Sequence, residues 1–293
     1  MTLPFSPFFI ELPQSIPGMG RFIGSWVISG PPTIVVDVGP MASVKQLIAS
    51  LHQQGINQVD YVWLTHIHID HAGGLAPFLE AFPLAKVFSH GQGLKHLIDP
   101  RRLWEGSLAT LKEMAVAYQP IQPVPADRLM AHTEARLDGL TILETPGHAP
   151  HHLSFRYHDL LFAGESAGIF FPFGQTFYLR PPTPPRFFFE QTIDSVDRML
   201  TLSDRPIFFA HAGSHPNSHL MLNHYRKQLF LWKELIAEVL KAHPAEVIER
   251  ATDLLLEKDP MLDCFKQMDG PAQTRERFFM ANSIAGFVGY LQS

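Results

Sequence analysis

Cysteine is nearly absent: Cys264 stands alone among 293 residues. Disulfides within the chain are thereby excluded, and so is a cysteine-rich zinc site. Neither sign of charge dominates, since 23 Lys and Arg against 28 Asp and Glu leave a formal net charge of −5. No basic run interleaves with aromatics, so the footprint of a polyanion-binding surface is missing. Long apolar runs are missing too; none reaches the roughly 18 residues that a membrane span needs. The opening stretch MTLPFSPFFIELPQSIPGMG has no basic segment and carries Pro4, Pro7, Pro13 and Pro17, unlike a secretory leader. The expectation is a soluble, cytoplasmic protein with neither nucleic acid nor membrane as partner.

What is present is ample apolar material. With 46% hydrophobic and 17% charged residues the chain can bury a large core. Through the first two thirds, short β-type runs alternate with helical patterns. WVISG (Trp26 to Gly30) and TIVVDVG (Thr33 to Gly39) flank Pro31-Pro32 and read as paired strands. SVKQLIASLHQQG places Val44, Leu47, Ile48 and Leu51 at helical spacing before Gly55. VDYVWL and KVFSH read as strands, and residues 91–120 as largely helical. Asp138-Gly139 and His158-Asp159 each look like hairpin turns between β-type runs. A helix from about Glu190 to Leu202 and a strand PIFFAH close this part. After about residue 220 only helical periodicity remains, so a core over residues 1–219 and a helical lobe over 220–293 are expected.

The densest chemistry lies in THIHIDHAGG, Thr65 to Gly74, directly after the apolar run VDYVWL. His66 and His68 stand at i and i+2, so a strand end points both the same way. Asp70 and His71 follow as the chain turns, and Gly73-Gly74 permits a tight turn into the next helix. Imidazole nitrogens and a carboxylate suit Zn²⁺ and similar first-row ions, and this set can serve two neighbouring metals. The 16 histidines of the chain make chance clustering the competing explanation. Against it, ETPGHAPHH, LLFAGESAG and FFAHAGSH place further histidines or acids at strand ends.

HIHIDH, then TPGH, GES and AHAG, in this order and at these separations, resemble the metallo-β-lactamase superfamily over roughly residues 20 to 215. The resemblance implies an α+β fold, an αββα sandwich of two mixed sheets flanked by helices, with a two-metal site at one sheet edge. It implies one ion on His66, His68 and His148 and a second on Asp70, His71 and His211. The bridging position is held by Glu165, where the family pattern has aspartate. Glutamate is one methylene longer, so bridging, binding one ion and shifting the ion pair all stay open. Zn is the expected metal, with Fe and Mn as alternatives. Such ions lower the pKa of bound water to about 7, and a metal-bound hydroxide then attacks the substrate. Asp70 is the expected catalytic residue, orienting that hydroxide and moving its proton. Asp37, which ends the VVDVG run, and His152 are candidates to fix imidazole tautomers.

The superfamily motif specifies chemistry better than substrate. Cys264 lies in the helical lobe, which excludes the branch with a cysteine ligand. No flavin domain, basic arm or inserted nuclease domain is visible. The stretch Ile169 to Phe189 reads as an aromatic, Pro-rich loop. Its Phe173 and Tyr178 either line an apolar pocket or pack the lobe against the core or a homodimer partner, and Arg180 could receive a substrate carboxylate. The leading expectation is a dinuclear hydrolase of a small ester, thioester or lactone. A mononuclear iron oxygenase of the persulfide dioxygenase type, and a non-catalytic metal-binding or interaction module, are its rivals.

Overall fold

Val, Ile and aromatic runs bounded by Gly and Pro become strands, because branched and ring side chains pack on a pleated surface and the bounding residues break it. The computed structural model describes residues 6–184 and 186–293. The chain forms two compact units, Met1–Glu144 with His151–Phe162, and Thr145–Pro150 with Ala163–Ser293.

In the first unit, β1 (Phe8–Glu11), β2 (Gly24–Ile28), β3 (Ile34–Val36), β4 (Tyr61–Trp63), β5 (Lys86–Ser89) and β6 (Leu129–Ala131) lie in that order in one sheet. β1 to β3 pair antiparallel, and β3 to β6 pair parallel. Parallel neighbours need crossovers, and helices supply them. These are α1 (Val44–Gln53), α2 (Ile69–Ala72), α3 (Leu75–Ala81), α4 (Gly91–Ile98), α5 (Arg101–Leu111) and α6 (Glu113–Tyr118). On α1 the buried residues are Val44, Leu47 and Leu51, which share one face.

β7 (Leu140–Glu144), β8 (Leu153–Tyr157) and β9 (Leu160–Gly164) pair antiparallel. Trp63 joins the two sheets: fully buried, its ring stacks on Phe155 at 5.1 Å and meets Tyr157 and Phe162 edge-on. The β8–β9 turn sits at His158-Asp159, as the alternation suggests, with His158 in the left-handed region at φ 50. The Asp138-Gly139 turn does not link two strands. Residues 135–137 are irregular, and β6 forms upstream instead, where the open parallel edge of β5 offers a ladder.

In the second unit, β10 (Ile169–Phe173) and β11 (Thr176–Arg180) form an antiparallel hairpin around Gly174, at φ 57. The expected loop from Ile169 to Phe189 is thus half hairpin, because Ile, Phe and Tyr carry strand propensity that the clustered prolines obscured. Pro185, in the same stretch, lies outside the described residues. α7 (Phe189–Leu200), β12 (Ile207–Phe209) and β13 (Ser214–His215) follow. The second sheet has the order β13-β12-β9-β8-β7.

The C-terminal region is helical: α8 (Ser218–Ala242), α9 (Val247–Lys258) and α10 (Gly270–Leu291). Its centre is partly polar. Buried Asp259 accepts hydrogen bonds from Gln228 Nε2 and Trp232 Nε1, both at 2.7 Å. The Trp232 ring lies 6.0 Å from that of Phe287 on α10. Among the described residues the fold is mixed α+β, with a six-stranded mixed sheet, a five-stranded sheet, the two-stranded β10–β11 hairpin and a helical C-terminal region. Among the described residues no helix is long and apolar enough to cross a membrane.

Candidate metal centre

β4 ends in Trp63, and the next ten residues carry four of the candidate ligands, His66, His68, Asp70 and His71. His68 caps α2 with extended backbone, so Asp70 and His71 sit on a single helical turn directly after the His66/His68 pair. The two glycines behind them provide room rather than a left-handed backbone. A Cβ on Gly73 would meet the Ile69 carbonyl at 2.3 Å, and one on Gly74 would meet Val44 Cβ at 2.7 Å.

Asp37 organises this half. It is buried, stands at φ 58, and follows β3 where the parallel strands end. Its Oδ1 accepts the Thr65 backbone N–H at 2.8 Å, and Oδ2 accepts the Thr65 hydroxyl at 2.7 Å. The same Oδ2 lies 3.0 Å from His71 Nδ1. A carboxylate only accepts, so His71 carries its proton on Nδ1 and keeps a lone pair on Nε2. Thr65 gives its own proton to Asp37, so its oxygen accepts from His66 Nδ1, 3.1 Å away. His66 is therefore also left with a lone pair on Nε2, which faces Nδ1 of His68 at 3.0 Å. That spacing is close to the roughly 3.4 Å between two nitrogens on one tetrahedral zinc.

The second unit carries His148, Glu165 and His211. His148 is set by the Pro146-Gly147 turn, which packs tightly on α7: Ser195 donates to the Pro146 carbonyl at 2.6 Å, and a Cβ on Gly147 would lie 2.6 Å from Thr192 Oγ1. His148 Nδ1 faces the Pro182 carbonyl at 2.6 Å, so this imidazole too is protonated on Nδ1. Glu165 follows β9 and His211 follows β12, and the Ala210 N–H bonds the Gly164 carbonyl at 3.2 Å, setting the two loops side by side. Glu165 Oε2 lies 3.0 Å from His148 Nε2, and Oε1 lies 3.2 Å from His211 Nε2. Burial pushes the Glu165 carboxyl up, but the charges and hydrogen bonds of His148 and His211 outweigh it and hold it well below the usual range. Tyr225 on α8 is buried nearby; burial raises its phenol pKa and the Glu165 charge adds to that.

Several expected residues land in different surroundings. His152 is fully buried and its ring stacks on that of His66 at 5.3 Å. The His151 ring lies 5.9 Å from that of His68. Arg180 is not placed to receive a substrate carboxylate: it is buried, and its Nε donates to Glu276 Oε2 at 2.5 Å. Tyr178 is fully buried, while Phe173 is half-buried at the end of β10. Sequence reasoning missed Thr65, whose hydroxyl has no spacing signature, and the Pro182 carbonyl, because backbone groups leave no trace in residue type.

A third group, His90, His132 and Glu144, gathers in the first unit. Its geometry does not suit a metal. The imidazole rings stack at 4.7 Å with planes 20° apart, so no ion could lie in both planes. His90 Nδ1 accepts the Gln92 N–H at 3.1 Å as the cap of α4, which leaves the proton on Nε2. His132 Nε2 lies 2.9 Å from Glu144 Oε1, and His90 Nε2 lies 3.8 Å from it. This is a hydrogen-bonded latch between the ends of β5, β6 and β7.

The family model of the metallo-beta-lactamase superfamily matches residues 20–211. The metallo-beta-lactamase fold-containing protein ST1585 of Sulfurisphaera tokodaii is 30% identical over 190 residues, 62% of this chain and 69% of that protein. The solved structure of ST1585 superposes with a TM-score of 0.69 at 23% identity, covering 96% of this chain and 98% of that one. A hydroxyacylglutathione hydrolase of Tolumonas auensis is 27% identical over 142 residues, 48% of this chain and 45% of the relative, so the chain spans about half of that protein's length. The match from Gly20 to His211 spans the residues of the candidate centre, and this chain belongs to the metallo-β-lactamase superfamily, a superfamily of metal-dependent hydrolases.

Proposed function

We propose that the chain is a dinuclear metal-dependent hydrolase of a small, fairly apolar ester, thioester or lactone, and that the two ligand sets serve one centre. Zn²⁺ is the metal that best suits a set of imidazoles and carboxylates. One observation carries the reading: Glu165 turns one oxygen to His148 and the other to His211, the residues assigned to different ions. A glutamate can thus take the bridging place of the family's aspartate. The donor set fits as well, since His66, His71 and His148 each have Nδ1 engaged by an acceptor and Nε2 turned toward another residue of the candidate set. The same arrangement disfavours a mononuclear oxygenase, which would leave one arm of Glu165 without a task.

In this reading His66, His68 and His148 would hold one ion and Asp70, His71 and His211 the other, with Glu165 within reach of His148 and His211. Divalent ions held there would acidify a bound water and polarise the acyl oxygen of the substrate. The protein's own part is orientation and proton movement. Asp37 and Thr65 keep the imidazoles in one tautomer. Asp70, whose side chain is the most exposed of the acids here at 18%, takes the proton on its carboxylate and returns it to the leaving oxygen or sulfur. The name of the Tolumonas auensis relative supports a thioester among the candidate substrates.

Elemental analysis of freshly purified protein, followed by a panel of esters, thioesters, lactones and phosphodiesters with the identified metal restored, tests this. The expected result is about two ions per chain and turnover of an acyl substrate that is lost in Asp70→Asn. A single tightly bound iron, or full metal occupancy with no hydrolysis across the panel, would overturn it.

A further inference from the structure

We propose that α10, in the C-terminal helical region, is a positioning element of the metal centre, acting through the Pro182 carbonyl on His148. The inference rests on the reading of His148 as a metal ligand.

His148 is oriented by a backbone oxygen, Pro182 O, 2.6 Å from Nδ1. That carbonyl belongs to the segment Pro181-Pro182-Thr183-Pro184, which follows directly on β11. Prolines have no N–H, so such a segment cannot hold itself in place with a strand ladder. It must be anchored from outside, and α10 provides the anchors. Ser283 Oγ donates to the Pro181 carbonyl at 2.8 Å, and Thr183 Oγ1 donates to the Ser283 carbonyl at 2.7 Å. Glu276 takes Arg180, the residue before the segment, at 2.5 Å. Gly286 lets the helix come close: a Cβ there would meet the Pro184 carbonyl at 2.3 Å and Thr183 Oγ1 at 3.1 Å.

Glu276, Ser283 and Gly286 are seven and three residues apart, which places them along one face of the helix. All of these contacts are buried, with Arg180, Thr183, Glu276 and Ser283 no more than 5% exposed. Position is therefore transmitted through rigid, water-excluded links from the helix to the loop, and from the loop to the imidazole. Without the Pro182 carbonyl the His148 ring loses the acceptor that holds Nδ1–H and keeps Nε2 turned toward Glu165. Partners of this kind around a liganding histidine affect metal affinity about 10–100-fold.

The test uses the full chain with Gly286→Ala, which pushes the loop, and Ser283→Ala, which releases it. Ser283→Thr keeps the hydroxyl, and His148→Ala serves as reference. Leu255→Ala, buried on α9, is the control for general weakening of the helical region. Zn²⁺ affinity is read by competition with a chromophoric chelator on metal-stripped protein, and the His148 imidazole ¹⁵N signals are read without metal. Gly286→Ala and Ser283→Ala are expected to weaken one of the two ions by roughly 10–100-fold. The His148 Nδ1–H signal should shift with them, while Ser283→Thr and Leu255→Ala stay near the parent. Unchanged affinity and an unchanged His148 signal in both α10 variants would overturn the inference, as would an equal loss in Leu255→Ala. If His148→Ala itself leaves metal content intact, it is the ligand assignment that fails.

Discussion

Asp37, held in the left-handed region at φ 58, places Oδ2 3.0 Å from Nδ1 of His71. A buried, acceptor-only group at that spot decides which nitrogen of the imidazole carries the proton. Asp37→Asn tolerates the same backbone, since asparagine also adopts positive φ. Its amide can keep one oxygen toward the Thr65 N–H, but then presents NH₂ to His71 and Thr65. His71 Nδ1 would have to accept, moving its proton to Nε2. The expected outcome is a folded protein, by circular dichroism, with clearly reduced metal content. Asp37→Ala should in addition cost about 2–4 kcal/mol, because several buried donors lose their acceptor. Parental metal content in Asp37→Asn would refute this tautomer argument.

The buried pair of Arg180 and Glu276 makes stability depend on pH. Burial pushes the Glu276 carboxyl up, but Arg180 and Arg275 more than offset it and hold it below the usual range. A carboxyl lowered on folding stabilises above its unfolded pKa of about 4.3, and that contribution is lost as pH falls through the folded value. Urea unfolding should therefore show stability dropping below about pH 5 in the parent. Glu276→Gln should be less stable by about 3–5 kcal/mol at pH 7, since it leaves Arg180 buried without its counter-charge. Its acid-side slope should also be shallower. Superimposable pH profiles would rule the pair out as a source of the dependence.

Trp63 supplies the main aromatic contact between the first sheet and β8–β9. Trp63→Ala is expected to cost about 3–5 kcal/mol, the usual range for an aromatic truncated in a packed core. Because β4 leads directly into Thr65 and His66, metal binding should weaken as well. Thermal unfolding with and without added Zn²⁺ measures both effects, and a change in melting temperature within error would show that the sheets close without this ring.

His90 and His132 provide a contrast to the metal centre. If their stacked rings form a latch on Glu144, then His132→Ala leaves the number of bound ions unchanged and costs about 1–2 kcal/mol, the value of its hydrogen bonds to Glu144 and the Gly91 N–H. Burial, followed by the neighbouring His132 charge, lowers the His90 pKa, in keeping with a neutral, hydrogen-bonded ring. Loss of an ion from His132→Ala would mean that the rings rotate to take a metal.

Much of the centre was legible in the chain because its donors sit at strand ends within short, specific strings. His66, His68, Asp70 and His71 lie in one stretch, and His148, Glu165 and His211 each follow an apolar β-type run. Strand propensity and side-chain alternation are local, so they could be read residue by residue. The β10–β11 hairpin was not, because clustered prolines just beyond it outweighed the strand signal of IFFPF and TFYLR.

Residue types and their order thus determined the superfamily, the fold class and the helical character of the C-terminal region. Only the tertiary structure decided what each ligand leans on. Asp37 reaches Thr65 across 28 positions, His148 reaches the Pro182 carbonyl across 34, and Arg180 meets Glu276 across 96. Such partners are chosen by packing at long range, and one of them is a backbone oxygen that every residue type carries. Arg180 looks like a free cation in sequence. In the fold it is neutralised, because a buried guanidinium without a carboxylate would cost several kcal/mol.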